Sequence, residues 1–281
     1  MSGILYLCAT PIGNLEDITY RVVRTLNEVS LIAAEDTRNS IKLLNYFEIK
    51  TPMTSYHEHN KVTKGPYLVQ KLLAGENLAL ITDAGTPGIS DPGEDLVKLC
   101  YEAGITVTSL PGAAACITAL TISGLPTRRF AFEAFLPSDK KERKRVLEEL
   151  KEETRTIIIY EAPHRLQKTL EELYDTLGDR AVTVCRELTK KHETAFRTTL
   201  MKAMEYYGEK VPKGECVVVI EGCSAEKLLL EQQKCWEAMS IQAHMAFYEQ
   251  KGMDHKDAMK AVAKDRGVPK REIYKELIQK T

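Results

Sequence analysis

Residues 78–93, Leu-Ala-Leu-Ile-Thr-Asp-Ala-Gly-Thr-Pro-Gly-Ile-Ser-Asp-Pro-Gly, constrain the fold more than any other stretch of the chain. The first four are a short apolar run of the length of a buried strand. The rest set Gly85, Pro87, Gly88, Pro92 and Gly93 among Thr82, Asp83, Thr86, Ser90 and Asp91. Glycine admits positive φ and close approach of a ligand to the backbone, and proline stiffens the loop. Glu94 then opens an amphipathic helix with Leu96, Val97, Leu99 and Cys100 on one face. Strand, stiff polar loop and helix are how open α/β sheets build ligand sites at the carboxyl ends of strands. Two carboxylates in so rigid a loop exceed what turning the chain requires.

The same sequence of events recurs. A strand at 4–9 exits into Thr10-Pro11-Ile12-Gly13-Asn14-Leu15, and Asp17 or Thr19 caps a helix with Val22, Val23 and Leu26 inward. A strand at 30–34 exits into Glu35-Asp36-Thr37-Arg38 before a helix at 39–47. A strand at 105–110 runs into Pro111-Gly112-Ala113-Ala114-Ala115-Cys116 and an apolar helix that stops at Gly124. Small residues at that helix start suit a ligand close to the backbone or tight helix–sheet packing alike. Repeated β-loop-α units predict a mostly parallel sheet. Ser55-Tyr56-His57-Glu58-His59-Asn60 is either a solvated loop or part of a site.

Residues 126–130 read as a boundary between lobes. Strands follow at 130–136, 156–160, 181–186 and 216–220, again with polar exits such as Glu161-Ala162-Pro163-His164-Arg165. Residues 140–145, Lys-Lys-Glu-Arg-Lys-Arg, begin a charged helix that suits a solvated face or RNA phosphates. Beyond residue 224 strand signals cease. Helices at 241–250, 256–265 and 270–280, separated by Gly252 and Gly267-Val268-Pro269, outline a helix-turn-helix or a packing and dimerisation arm. The expected organisation is an N-terminal α/β lobe at 1–125, a C-terminal α/β lobe at 126–223 and a small helical domain at 224–281.

Thirty-nine Lys and Arg against 40 Asp and Glu leave a net charge of -1, so no global basic field announces nucleic acid. The start lacks a signal peptide's basic region and long apolar stretch, and no run has the length of a membrane span. Seven scattered cysteines without a Cys-x-x-Cys pair predict reduced thiols in a cytoplasmic protein. No Cys or His pair has metal-ligand spacing, so no metal site is expected. A dinucleotide-binding glycine fingerprint, a P-loop and a nucleophile elbow are all missing. What remains is a two-lobed α/β enzyme that binds a small ligand between its lobes.

The set Thr10-Pro11-Ile12-Gly13-Asn14-Leu15, Glu35-Asp36-Thr37-Arg38, Asp83-Ala84-Gly85-Thr86-Pro87-Gly88 and Glu161-Ala162-Pro163-His164-Arg165 resembles the tetrapyrrole methylase superfamily, the class III methyltransferases. Arg186-Glu187-Leu188-Thr189-Lys190-Lys191-His192-Glu193 looks like the motif of its branch that methylates a cytidine 2′-hydroxyl in the decoding region of 16S rRNA. The resemblance spans roughly 4–222, and the tail is similar to that branch's helical appendage. It implies a homodimer of two-lobed α/β subunits with S-adenosylmethionine in the cleft. The implied cofactor contacts are Pro11, Ala84, Gly85, Thr86, Ile89, Ala115, Cys116, Glu161, Ala162 and Leu188. Acceptor-side candidates are Asp36, Arg38, His57, Glu58, Asn60 and Asp83, and Arg165, Lys190 and Lys191 are expected on RNA, in the 30S subunit. Two departures stand out: Thr86 sits where tetrapyrrole-acting members carry an acid, and Ala113-Ala114-Ala115 where relatives often place a hydroxyl. A small-molecule methylase of the same superfamily remains the alternative. A nucleic-acid-binding module working through the tail is a further rival.

Overall fold

Every residue of Leu31–Ala34 and of Leu78–Ile81 is buried, which only the middle of a sheet covered on both faces permits. The computed structural model describes residues 2–210, 212–224, 226, 228, 236 and 239–279. In it β1 (Ile4–Cys8), β2 (Leu31–Ala34), β3 (Met53–Ser55), β4 (Leu78–Ile81) and β5 (Thr106–Leu110) form one sheet in the order β3-β2-β4-β1-β5. All four pairings are parallel, with Leu5 and Leu31 both opposite Leu78. One face packs Cys8, Ile32 and Ile81 against α1 (Tyr20–Glu28) and α2 (Thr37–Tyr46), through Val22, Leu26 and Leu44. The other packs Leu5, Leu7 and Leu80 against α3 (Lys61–Leu73) and α4 (Gly93–Glu102), through Leu68, Leu72, Leu96 and Cys100. The Thr19 hydroxyl caps α1 by accepting the Val22 N–H at 3.2 Å.

The second sheet departs from the parallel expectation. Its strands β6 (Phe130–Phe135), β7 (Thr156–Glu161), β8 (Ala181–Arg186), β9 (Thr194–Thr199) and β10 (Cys216–Ile220) lie in the order β6-β7-β10-β8-β9. Only β6 and β7 are parallel. They are joined through α6 (Lys140–Leu150), the crossover that parallel neighbours need, whereas β8 turns straight back into β9. Two further helices, α7 (Pro163–Leu177) and α8 (Leu200–Glu209), complete this lobe. Here α5 (Ala115–Ser123), which follows β5 of the first sheet, takes its place against the second. Its Cys116, Ala119 and Leu120 share a core with Ile12, Ile158, Cys185, Leu188 and Val217.

The chain divides into two compact units: one runs to Leu147 and resumes over Thr156–Glu221, and the other comprises Glu148–Arg155 and the residues from Gly222 onward. In the second unit α9 (Ile241–Gln250), α10 (His255–Asp265) and α11 (Lys270–Gln279) close over Met245, Ala258, Met259, Val262 and Ile273. Ser240 and Asp254 cap α9 and α10. The end of the last expected helix, Lys280, lies outside the described residues. Among the described residues no helix is long and apolar enough to cross a membrane, and Cys8, Cys100, Cys116, Cys185, Cys216 and Cys223 are free thiols.

Candidate active site

The loop after β4 is held from within. The Asp91 carboxylate accepts the N–H groups of Gly88 at 2.8 Å, Ile89 at 3.1 Å and Gly93 at 2.8 Å. A Cβ at Gly93 would stand 2.8 Å from the Gly88 nitrogen, so only glycine closes this turn. The loop is also tied to its neighbours. Thr10 and Gly85 exchange backbone hydrogen bonds at 2.9 and 3.0 Å, and the Thr86 hydroxyl donates to the Ala113 carbonyl at 3.0 Å. Thr86, the residue that replaces an acid, therefore fastens the loop to the start of α5.

The exit of β1 reaches the second lobe. The Asn14 N–H donates to the Thr189 hydroxyl at 3.1 Å. A Cβ on Gly13 would lie 2.4 Å from Lys190 Cγ and 3.0 Å from the Leu188 carbonyl oxygen. Glu187 and Thr189 hold positive φ values of 51° and 65° in the β8–β9 turn, conformations uncommon outside glycine. The Leu-Thr-Lys-Lys stretch thus docks one lobe on the other.

Between these loops lies a cavity of about 480 Å³, within the size range of small-molecule sites. Ala84, Gly85, Thr86 and Ile89 line it from the first lobe, Ala115 and Cys116 from the start of α5, and Glu161 and Ala162 from the second lobe. Pro11 lines a separate cavity instead, and Leu188 is buried in the core between lobes. The Glu161 carboxylate, 1% exposed, is spent on structure. It accepts the Thr169 hydroxyl at 2.5 Å and the Ala162 N–H at 2.9 Å, with Arg165 at 3.5 Å and Arg143 at 3.9 Å.

Of the acceptor-side candidates Asp83 alone lines this cavity. It accepts the Asp36 N–H and the Asn39 amide, each at 3.2 Å. Asp36 and Arg38 form a two-toothed ion pair at 3.0 and 2.7 Å, and that hydrogen-bonded pairing lowers the Asp36 carboxyl to about 2. Glu58 pairs with Lys61, which also bridges Asp95. Asn60 closes a turn by accepting the His57 N–H at 2.9 Å and donating to the Ser55 hydroxyl at 3.1 Å. The His57 ring buries an unpaired Nδ1. Among the basic candidates Arg165 is held by Glu161, Lys190 by Glu187 at 3.0 Å and Glu215 at 3.7 Å, while Lys191 is exposed.

Among the cavity residues that the sequence reading did not name as site residues, Glu35 and Tyr160 stand out. Glu35 lines the same wall as Asp83 and Asp91. Burial foremost, then the charges of Asp83 and Asp91, push its carboxyl above the usual range, against the Asp83 N–H it accepts and nearby His57. Its signal was position, the first residue beyond β2. Tyr160 holds the first turn of α5, its hydroxyl oxygen accepting the Cys116 N–H at 3.0 Å; burial raises its phenol. Nothing in a strand pattern marks such a tyrosine. Among the described residues no group of three or more His, Cys, Asp or Glu is arranged to hold a metal ion.

The three carboxylates face a wall of small residues, an arrangement suited to a cation joined to a bulky neutral body. Comparison with known proteins agrees with that chemistry. A family model described as Tetrapyrrole (Corrin/Porphyrin) Methylases matches residues 5–203. The chain is 51% identical over 272 residues to the ribosomal RNA small subunit methyltransferase I of Halalkalibacterium halodurans, covering 97% of this chain and 93% of that one. It is 48% identical over 272 residues to the Bacillus subtilis protein of the same name, with the same coverage. In fold it is similar to uroporphyrin-III C-methyltransferase from Thermus thermophilus complexed with S-adenyl homocysteine, with a TM-score of 0.56 at 18% identity, over 78% of this chain and 97% of that one.

Proposed function

The chain belongs to the tetrapyrrole methylase family, among the ribosomal RNA small subunit methyltransferase I proteins, and from that premise we propose that it methylates the ribose 2′-hydroxyl of one cytidine in the decoding region of 16S rRNA. It is an S-adenosylmethionine-dependent methyltransferase acting on small-subunit ribosomal RNA. Its substrate is the 30S particle, it works in the cytoplasm, and it acts as a homodimer. Exposed Ile117 and Ile122 on α5 with Phe130 on β6 support the last of these.

One observation carries the reading: the cavity sets Glu35, Asp83 and Asp91 against the small-residue start of α5. The cofactor fits this donor set: Glu35, Asp83 and Asp91 would hold its positive charge, and Ala114, Ala115 and Cys116 would leave room for its neutral part. When bound, it supplies an electrophilic methyl carbon. The chain's own part is alignment and proton handling. The Asp91 clamp keeps the loop from moving, and alignment of this kind accounts for much of the acceleration in bimolecular transfers. Glu35, which lines the cavity with its carboxyl raised by burial, is the group to take the hydroxyl proton as the acceptor oxygen bonds the methyl carbon and the methyl–sulfur bond breaks, its electron pair leaving with sulfur as a neutral thioether. A base in that role adds roughly 10²- to 10⁴-fold.

The test is methyl transfer from labelled S-adenosylmethionine to small-subunit particles and to rRNA lacking their own 2′-O-methyl marks, followed by alkaline and nuclease mapping. Label at a single alkali-resistant cytidine linkage is expected. Cofactor binding with no label in RNA would sink the substrate and favour a small-molecule acceptor. Deleting the helical tail should leave cofactor binding intact; loss of binding would count against catalysis in the lobes.

A further inference from the structure

The cavity that Pro11 lines encloses about 290 Å³ beside α2, and it shares only Thr82 and Asp83 with the inter-lobe cavity. Asp83 is therefore a common wall between two spaces, one fitted to the cofactor and one without an occupant assigned. The groups around the second space form a set. Ser40 is 5% exposed, and its hydroxyl has no hydrogen-bond partner in the structure. A buried polar group left unpaired is rare and costly, so this hydroxyl points to a ligand atom. Beside it, the Asn39 amide donates to Asp83 Oδ2 at 3.2 Å. At the rim stand exposed Lys42 and Tyr46, a residue 65% exposed whose ring meets that of Phe47 edge-on at 4.9 Å between centroids.

We propose that this cavity is the acceptor subsite, taking one unstacked nucleotide of the RNA; the inference rests on the rRNA reading above. An aromatic face, a cation and recessed hydrogen-bonding groups are what an extruded nucleotide requires: a stacking surface, a phosphate partner and contacts to the base edge or ribose. The base lies against Tyr46, Lys42 meets the phosphate, and the Ser40 hydroxyl bonds the nucleoside. The ribose then stands at Asp83, where the space opens toward the cofactor. A volume near the lower limit for ligand sites accommodates a single nucleoside and excludes a base pair.

The experiment uses the full chain with Tyr46→Ala, Tyr46→Phe and Ser40→Leu, the last filling the cavity. Two quantities are read: calorimetric binding of S-adenosylmethionine, and kcat and KM for methyl transfer to unmethylated small-subunit particles. Tyr46→Ala should lower kcat/KM by about tenfold, the loss that follows removal of one base–aromatic stack. Tyr46→Phe should restore it, and cofactor affinity should be unchanged in all three. Should Ser40→Leu fail to fold, the exposed Tyr46 pair still decides the matter. The subsite is overturned if Tyr46→Ala transfers methyl groups as the unaltered protein does, or if its loss is matched by lost cofactor binding; the rRNA reading survives both. Cofactor binding by the unaltered protein without transfer to any RNA would end that reading and the subsite with it.

Discussion

Both lobes end their strands in loops crowded with acids and bases, and Asp83 and Asp91 on the cavity wall of the first meet a different fate from the acids of the second. In the first lobe Asp91 is satisfied by three backbone N–H groups, and Asp83 by one N–H and one neutral amide. Such partners hold a carboxylate in place and leave its charge to act on the cavity. In the second lobe Glu161 meets Arg165 and Arg143, Arg143 meets Glu172 at 2.5 Å, and Glu187 with Glu215 meets Lys190. Charges matched to charges are neutralised, and they brace the lobe. Glu-Asp-Thr-Arg and Glu-Ala-Pro-His-Arg look alike in sequence, but Arg38 is taken by Asp36 and leaves Glu35 on the cavity wall, whereas Glu161 meets Arg165 and Arg143.

The contrast breaks or sharpens by experiment. Glu35→Gln should show the largest effect, a fall in single-turnover methyl transfer of roughly 10²- to 10⁴-fold if Glu35 takes the proton, with the fold retained by circular dichroism. A loss of only a few-fold would remove Glu35 from the role of base. Glu161→Ala should instead act on stability, costing about 3–5 kcal/mol in urea unfolding by leaving Arg143 and Arg165 without their shared acid. Unchanged stability with lost activity would move Glu161 into the catalytic wall and erase the contrast.

A smaller effect concerns pH. Burial raises the folded-state pKa of Glu35 above its ordinary 4.5. Its contribution to stability is then fully present below the unfolded value and is lost as pH rises through the folded one. The Gln variant lacks that loss, so its advantage over the unaltered protein in thermal melts should grow from acid toward neutral pH. An advantage that shrinks over this range would show Glu35 stabilised as an anion. Smallest of all, Lys191→Ala should raise KM for the particle by a few-fold and depend on salt, as expected for one exposed phosphate contact; Lys190→Ala, removing a braced lysine, should also lower the melting temperature.

Much of the first lobe was legible because each strand there announces itself by an apolar run and each exit by Gly, Pro and carboxylates. β3 was not, being three half-buried residues at a sheet edge. Nor was α3, whose Gly65-Pro66 reads as a breaker; there a Cβ on Gly65 would come within 2.7 Å of Leu99, so the glycine serves close approach of α4. In the second lobe β9 is an edge strand of mainly polar residues, and α8 carries no sharp opening signal. The charged run at 140–145 reads as a solvated face, and Arg143 within it is buried against Glu172 and Thr169.

The sequence by itself determined the alternation of strand, loop and helix, the conformations open to the loop at 78–93, and the small residues at the start of α5. These are local properties, set by side-chain shape and backbone freedom over a few residues. Tertiary structure alone decided which charges remain at work. Whether a carboxylate meets an amide or a guanidinium depends on residues far along the chain and in other elements, as with Asp83 and Asn39 or Glu161 and Arg143. It also carried α5 across to the second sheet and placed Asp83 between two cavities, because burial of apolar area is shared by the whole chain and has no local code.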